Sequence, residues 1–109
     1  MDAHRERQVI ETVAAGRIVR LFELAEERTR INDAESKALA KRYIRLLRKI
    51  GAHYRISIPK RIKDRICKSC NSVLVPGLNC TVRLSSSEKC AIYKCECGAE
   101  KRVFYSEGP

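Results

Sequence analysis

Tryptophan is absent from this sequence, histidine occurs twice and proline three times, and no apolar run approaches the roughly 20 residues that a membrane-spanning helix needs. The first residues, MDAHRERQVIE, are charged and lack the apolar stretch of a secretory signal. These absences lead to the expectation of a soluble, intracellular chain, placed in the cytoplasm. Both histidines, His4 and His53, fall outside the region that carries the cysteines, so neither is expected to ligate a metal with them. No internal repeat or low-complexity tract interrupts the 109 residues, enough for one small domain or two sub-domains with thin cores.

Acidic residues are scarce in one place only. Residues 1–36 hold six basic and eight acidic side chains, and residues 69–109 hold five basic and four acidic. Residues 37–68 hold twelve basic side chains and a single acid, Asp64, and so carry +11, more than the whole chain's formal net charge of +10. A solubilising surface mixes the two signs. A dense block of one sign suits a polyanion, because each Lys or Arg that displaces a condensed counterion gains entropy on binding. The expected partner is nucleic acid.

The periodicity predicts a first helix over residues 5–28, with Ile10, Val13, Ala14, Ile18, Leu21, Phe22 and Ala25 on its apolar side. Val9, Val19 and Leu24 widen that stripe beyond what one neighbouring helix covers, so it packs on the next helix, docks on a partner protein, or does both. Asn32 or Asp33 is the expected N-cap of a second helix, ending at Gly51. Leu39, Ala40, Tyr43, Leu46, Leu47 and Ile50 form its apolar face, and Lys37, Lys41, Arg42, Arg45, Arg48 and Lys49 occupy the rest. Two antiparallel helices with a short connection follow. Residues 52–66 show no clean helical period and add Arg55, Lys60, Arg61, Lys63 and Arg65 to the basic block. From residue 67 onward, short β-type runs alternate with turn signals, which predicts four strands: SVLV, CTVRL, AIYK and RVFY. The chain thus divides into a two-helix region (1–51), a basic linker (52–66) and a cysteine-bearing β region (67–109).

Six cysteines in a reducing compartment favour metal binding over disulfides. Cys67-Lys68-Ser69-Cys70 has the two-residue gap that lets two thiolates on one tight turn reach a single ion. The second pair is expected at Cys95 and Cys97, directly before Gly98, with Cys90 or Cys80 as the rival for the place of Cys95. Two hairpins between the pairs would bring both knuckles to one end, the layout of a zinc ribbon. Four thiolates close the coordination sphere, so one Zn2+ is expected in a structural role, since a catalytic zinc keeps an open position. A redox reading of the first pair is not favoured, because β-type sequence and not a helix follows it.

With these features the chain resembles the zinc-ribbon protein subunit family of ribonuclease P, component 4 in archaea. The resemblance is carried by RKIGAHYRISIPKRIKDRICKSC through Arg55, Ile58, Pro59, Lys63, Cys67 and Cys70. LVPGLNCTVRL adds Leu74, Val75, Pro76, Gly77, Asn79, Val82 and Arg83, and CGAEKRVFY adds Cys97, Gly98, Arg102 and Tyr105. In one place the chain departs from the family, which usually carries a second two-residue knuckle and so a ligand where this chain has Lys94. The resemblance implies an α+β fold, an N-terminal antiparallel helix pair followed by a C-terminal zinc ribbon of short antiparallel strands. It implies a non-catalytic RNA-binding subunit of the particle that removes the 5′ leader of precursor tRNA, in which RNA and magnesium do the cutting. It further implies a heterodimer with an Sm-like-barrel subunit, formed through the N-terminal helices, with Ile10, Val13, Ile18, Leu21 and Phe22 of the first helix as docking residues. The basic positions named above, together with Lys68, Arg83, Lys101 and Arg102, would grip RNA. The runner-up is a zinc-ribbon DNA-binding or transcription module.

Overall fold

The computed structural model describes residues 3–104; Tyr105, assigned above to the closing strand, lies outside them. Two antiparallel helices, α1 (Ala3–Ile31) and α2 (Ala34–Tyr54), lead through a short α3 (Lys60–Lys63) into a three-stranded antiparallel sheet. The strands are β1 (Cys80–Ser85), β2 (Cys90–Cys95) and β3 (Glu100–Phe104), in that spatial order. The α+β architecture of a helix pair followed by a ribbon is therefore present. Among the described residues no helix is long and apolar enough to cross a membrane.

The turn between the helices uses both candidate residues. Asn32 takes a left-handed conformation (φ 65°) and ends α1, while the Asp33 carboxylate accepts a 2.7 Å hydrogen bond from the Ser36 N–H and caps α2. That N–H, reinforced by the Ser36 hydroxyl, holds the Asp33 carboxyl below its ordinary value of 3.8. The cap is thus intact above that pH and weakens as the carboxylate is protonated below it.

Gly51 does not end α2. The helix runs one further turn to Tyr54 and closes on Arg55, left-handed at φ 55°, whose N–H reaches the carbonyls of Ala52 and Gly51. Gly51 is buried, and a Cβ there would meet the Ile56 carbonyl oxygen at 3.2 Å and the Ile58 side chain at 3.5 Å. Its glycine makes room for the returning chain. Gly16 differs, since a Cβ there would meet nothing within 4 Å. Gly16→Ala is expected to raise stability by about 0.5–1 kcal/mol, the usual gain in an exposed helix interior, measurable as an increased Tm.

The main core joins helices and ribbon. Ile18, Phe22 and Ala25 of α1 pack with Ala40, Ile44 and Leu47 of α2, then with Ile62, Ile66, Val73 and Val75. The linker, aperiodic as sequence, therefore buries two isoleucines between the helix pair and the ribbon. Arg65 adds a polar clasp, with its guanidinium 2.6 Å from the Glu26 carboxylate and 5.5 Å from the centre of the Phe22 ring.

Of the four predicted strands, three form. Residues 72–75 are buried but pair only through a lone bridge between Ile66 and Val73. The Asn79 side chain takes the place of a neighbouring strand: its Oδ1 accepts from the Val75 N–H and its Nδ2 donates to the Val73 carbonyl, both at 2.8 Å. Asn79→Ala would leave two buried backbone groups without partners. The expected loss is about 3 kcal/mol in a denaturant titration, at roughly 1–3 kcal/mol per group.

Candidate metal centre and basic face

Two turns at one end of the ribbon carry four thiols. In the first, the Asn71 N–H donates to the Cys67 carbonyl and the Cys67 N–H to the Ser72 carbonyl, each at 2.9 Å. In the second, the Gly98 N–H donates to the Cys95 carbonyl and the Cys95 N–H to the Ala99 carbonyl, again at 2.9 Å. The second turn repeats the first with one residue removed. In each, the residue after the last cysteine is left-handed, Asn71 at φ 60° and Gly98 at φ 98°. Gly adopts that conformation without the Cβ clash, and Asn tolerates it better than most residues. The short Cys95-Glu96-Cys97 spacing is thus a tighter turn of the same kind.

The sulfurs of Cys67, Cys70, Cys95 and Cys97 all lie within 4.8 Å of one another. Cys67 and Cys97 approach to 3.6 Å, as do Cys70 and Cys95. Four thiolates placed tetrahedrally about 2.3 Å from an ion are separated by roughly 3.8 Å, so the donor set fits a metal that prefers sulfur. Cys67 and Cys95 are buried, Cys70 half-buried and Cys97 exposed. Burial pushes the Cys67 and Cys95 thiols up. At Cys70 burial acts in the same direction, but Ser72 and the neighbouring thiols outweigh it and bring the group down to about 7. Cys80 and Cys90 stand outside this group as buried residues at the starts of β1 and β2.

The basic residues of the sequence converge from separate elements. Lys101, on β3, is held below its ordinary pKa first by burial and then by Lys68, Lys63 and Arg48, with Asp64 opposing. Four segments thus bring positive charge to one neighbourhood: α2, α3, the first cysteine turn and β3. Lys101 itself donates to the backbone carbonyls of Lys63 and Ile66, tying β3 to the end of α3. On α2, Arg42, Arg45 and Lys49 are exposed, and Lys37, Lys41 and Arg48 half-buried. Arg42 and Arg45 line an open groove of 580 Å³ together with Arg28 of α1. Arg28 had no place among the sequence candidates because its own segment is net acidic; only the antiparallel return of α2 puts it there. Arg55, Lys60, Arg61, Lys63, Lys68 and Arg83 are exposed.

Three further candidates have acidic partners. Arg65 is committed to Glu26 and Phe22, and so is a structural clasp more than a free cation. Lys37 lies 3.9 Å from Glu96 on the second cysteine turn, and Arg102 lies 3.5 Å from Glu88. These two pairs are exposed enough to exchange with another anion at little cost.

The apolar stripe of α1 divides. Ile18 and Phe22 are buried against α2 and the ribbon, and Leu21 is half-buried against the same core, so Ile18 and Phe22 are not available to a partner. The expectation that all five residues form a docking face is corrected by this packing. Ile10 and Val13 remain about half exposed, with Val9 beside them.

A helical hairpin packed on a ribbon with four converging thiols defines the class, a small zinc-ribbon-like protein whose four cysteines could hold a metal ion. The model of the RNAse P Rpr2/Rpp21/SNM1 subunit domain matches residues 17–98. The chain belongs to this family. It is 40% identical over 104 residues to ribonuclease P protein component 4 of Methanosarcina acetivorans, covering 94% of this chain and 92% of that one. The same-named protein of Pyrococcus horikoshii is 37% identical over 102 residues, covering 92% and 82%. Among solved structures, a chain of an archaeal ribonuclease P with mature tRNA, determined by cryo-EM, superposes with a TM-score of 0.76. It is 39% identical and is matched over 85% of this chain and 77% of that one. The structure described as Pfu Rpp21 superposes with a TM-score of 0.55 at 38% identity, over 84% and 99%.

Proposed function

We propose that this chain is a non-catalytic, RNA-binding subunit of ribonuclease P, acting in the cytoplasm on the maturation of precursor tRNA. It holds the RNA of the particle by its phosphates, while cleavage belongs to that RNA and its magnesium. The observation that carries the reading is the convergence of Arg48, Lys63, Lys68 and Lys101 from four separate segments, extended along α2 by Arg42, Arg45 and Lys49. Folded RNA is recognised largely by shape and backbone, so a broad cationic surface with few exposed aromatics is adequate. Membership of a ribonuclease P family favours this reading over a DNA-binding ribbon.

Zinc is the metal the four thiolates would hold, in a closed structural site whose work is to stabilise the ribbon. When bound, it joins the two cysteine turns, and with them the strand that carries Lys101 and Arg102. The exposed Val9, Ile10 and Val13 at the start of α1 would dock on an Sm-like-barrel subunit of the particle.

Reconstitution tests the reading. Adding this chain and its partner subunit to ribonuclease P RNA at low magnesium is expected to stimulate removal of the 5′ leader from precursor tRNA. No stimulation by a folded, metal-loaded pair would refute it.

A further inference from the structure

A cleft of 310 Å³ adjoins the metal centre without being part of it: Cys67 and Cys95 border it, and Cys70 and Cys97 do not. It opens between the first cysteine turn, the end of β2 and the start of β3. Leu74, Tyr93 and Ala99 line it with apolar surface. Leu74 is buried, and Tyr93 and Ala99 pack against the small core around the cysteines. Lys68, Lys101 and Arg102 add positive charge, the Lys101 ammonium tied to the Lys63 and Ile66 carbonyls and Arg102 lying 3.5 Å from Glu88, and Glu100 is the one acid among the described lining residues. Among the described residues β3 pairs with β2 alone, so the backbone donors and acceptors of its other edge have no strand partner there.

The volume falls at the small end of the range for small-molecule sites, about 300–1,000 Å³. An apolar lining is wasted on a bare phosphate, and a cationic rim is wasted on an apolar peptide. A nucleotide carries both a flat, weakly polar ring and a phosphate on each side. The geometry points to a site for one unstacked nucleotide of the bound RNA, its base inserted against Tyr93 and Ala99 and its phosphates held by Lys68 and by Arg102 in exchange for Glu88. This rests on the RNA-subunit reading and adds to it. The basic face grips RNA without regard to sequence, whereas the cleft requires an unpaired base at one position of the fold. Glu100 and the edge of β3 would accept and donate hydrogen bonds to that base, a source of base preference which phosphate contacts lack.

Ala99→Leu fills the cleft without changing any charge. The full chain, loaded with metal, is titrated against ribonuclease P RNA at several salt concentrations while unpaired bases are probed chemically. Wild type is expected to bind and to protect one unpaired nucleotide. The variant is expected to bind about tenfold more weakly, as for one lost base stack, with an unchanged salt slope and that nucleotide exposed. A variant that binds as tightly as wild type with the same protection overturns the cleft and leaves the RNA-subunit reading standing. Failure of wild type itself to bind overturns that reading, and the cleft with it. If Ala99→Leu loses its metal, the pair Tyr93→Phe and Tyr93→Leu decides. Phe keeps an aromatic face and should bind like wild type, and Leu should show the loss. Equal behaviour of the two would overturn the proposal.

Discussion

Cys67→Ser is expected to lower bound metal from one ion per chain to nearly none and to unfold the ribbon. Cys95→Ser is expected to do the same. The three strands are short, and the core around the cysteines is the small cluster of Cys67, Leu74, Cys80 and Cys95. A structural zinc contributes about 10–16 kcal/mol to a small metal domain, as much as or more than the roughly 5–15 kcal/mol net stability of a typical domain. Removing one buried thiolate therefore removes more than the ribbon has in reserve. Elemental analysis reads the metal, and amide hydrogen exchange of β1, β2 and β3 reads the fold of the ribbon. Cys80→Ala and Cys90→Ala should retain the ion, with a stability loss of about 1 kcal/mol for Cys90 from the vacated space. Retention of metal by Cys95→Ser together with its loss from Cys90→Ala would transfer the ligand role to Cys90. Because the ligands must be thiolates, uptake releases protons, and lowering the pH should strip the ion.

Charge reversal on α2 is the second large effect. Arg42→Glu, Arg45→Glu and Lys49→Glu together should weaken RNA binding at least a hundredfold. The slope of log affinity against log salt should also fall by about 2, because each phosphate contact contributes roughly 0.7–0.9 to it. The three residues are exposed, so the fold should be unaffected. Arg65→Ala provides the contrast. Its charge faces Glu26 and the Phe22 ring, so it should cost about 1–2 kcal/mol of stability and leave the salt slope nearly unchanged. Fluorescence anisotropy across a salt series separates the two. If all four substitutions moved the slope equally, the division between grip and clasp would be wrong.

Much of the fold was legible from residue order because the signals are local. The apolar steps of α1 and α2, the asparagine-aspartate break and the cysteine spacings act over a few residues, and each appears in the structure. The misreadings share a cause, which is competition from a contact distant in sequence or from a side chain standing in for backbone. Gly51 resembles a helix stop until Ile56 and Ile58 fold back over it. SVLV resembles a strand until the Asn79 amide takes the hydrogen bonds that a neighbouring strand would have made. Ile18, Phe22 and Ile10 fall on one stripe of α1, and only the packing of α2 and the ribbon against it decides which of them stays exposed.

The family, the density of positive charge and the cysteine pairs are determined by the sequence itself, since each is a matter of residue type and short spacing. The tertiary structure decides the remainder. Two pairs of thiols 25–30 residues apart in the chain become one donor set because the β1–β2 hairpin returns the second turn to the first. Arg48, Lys63, Lys68 and Lys101 form one patch because α3 and β3 are tied by the Lys101 ammonium. Arg65, one cation among twelve in its block, is withdrawn from that surface because a carboxylate and an aromatic ring on α1 hold it. Charge can be counted along a chain, but its direction is set by what each side chain meets when the chain closes on itself.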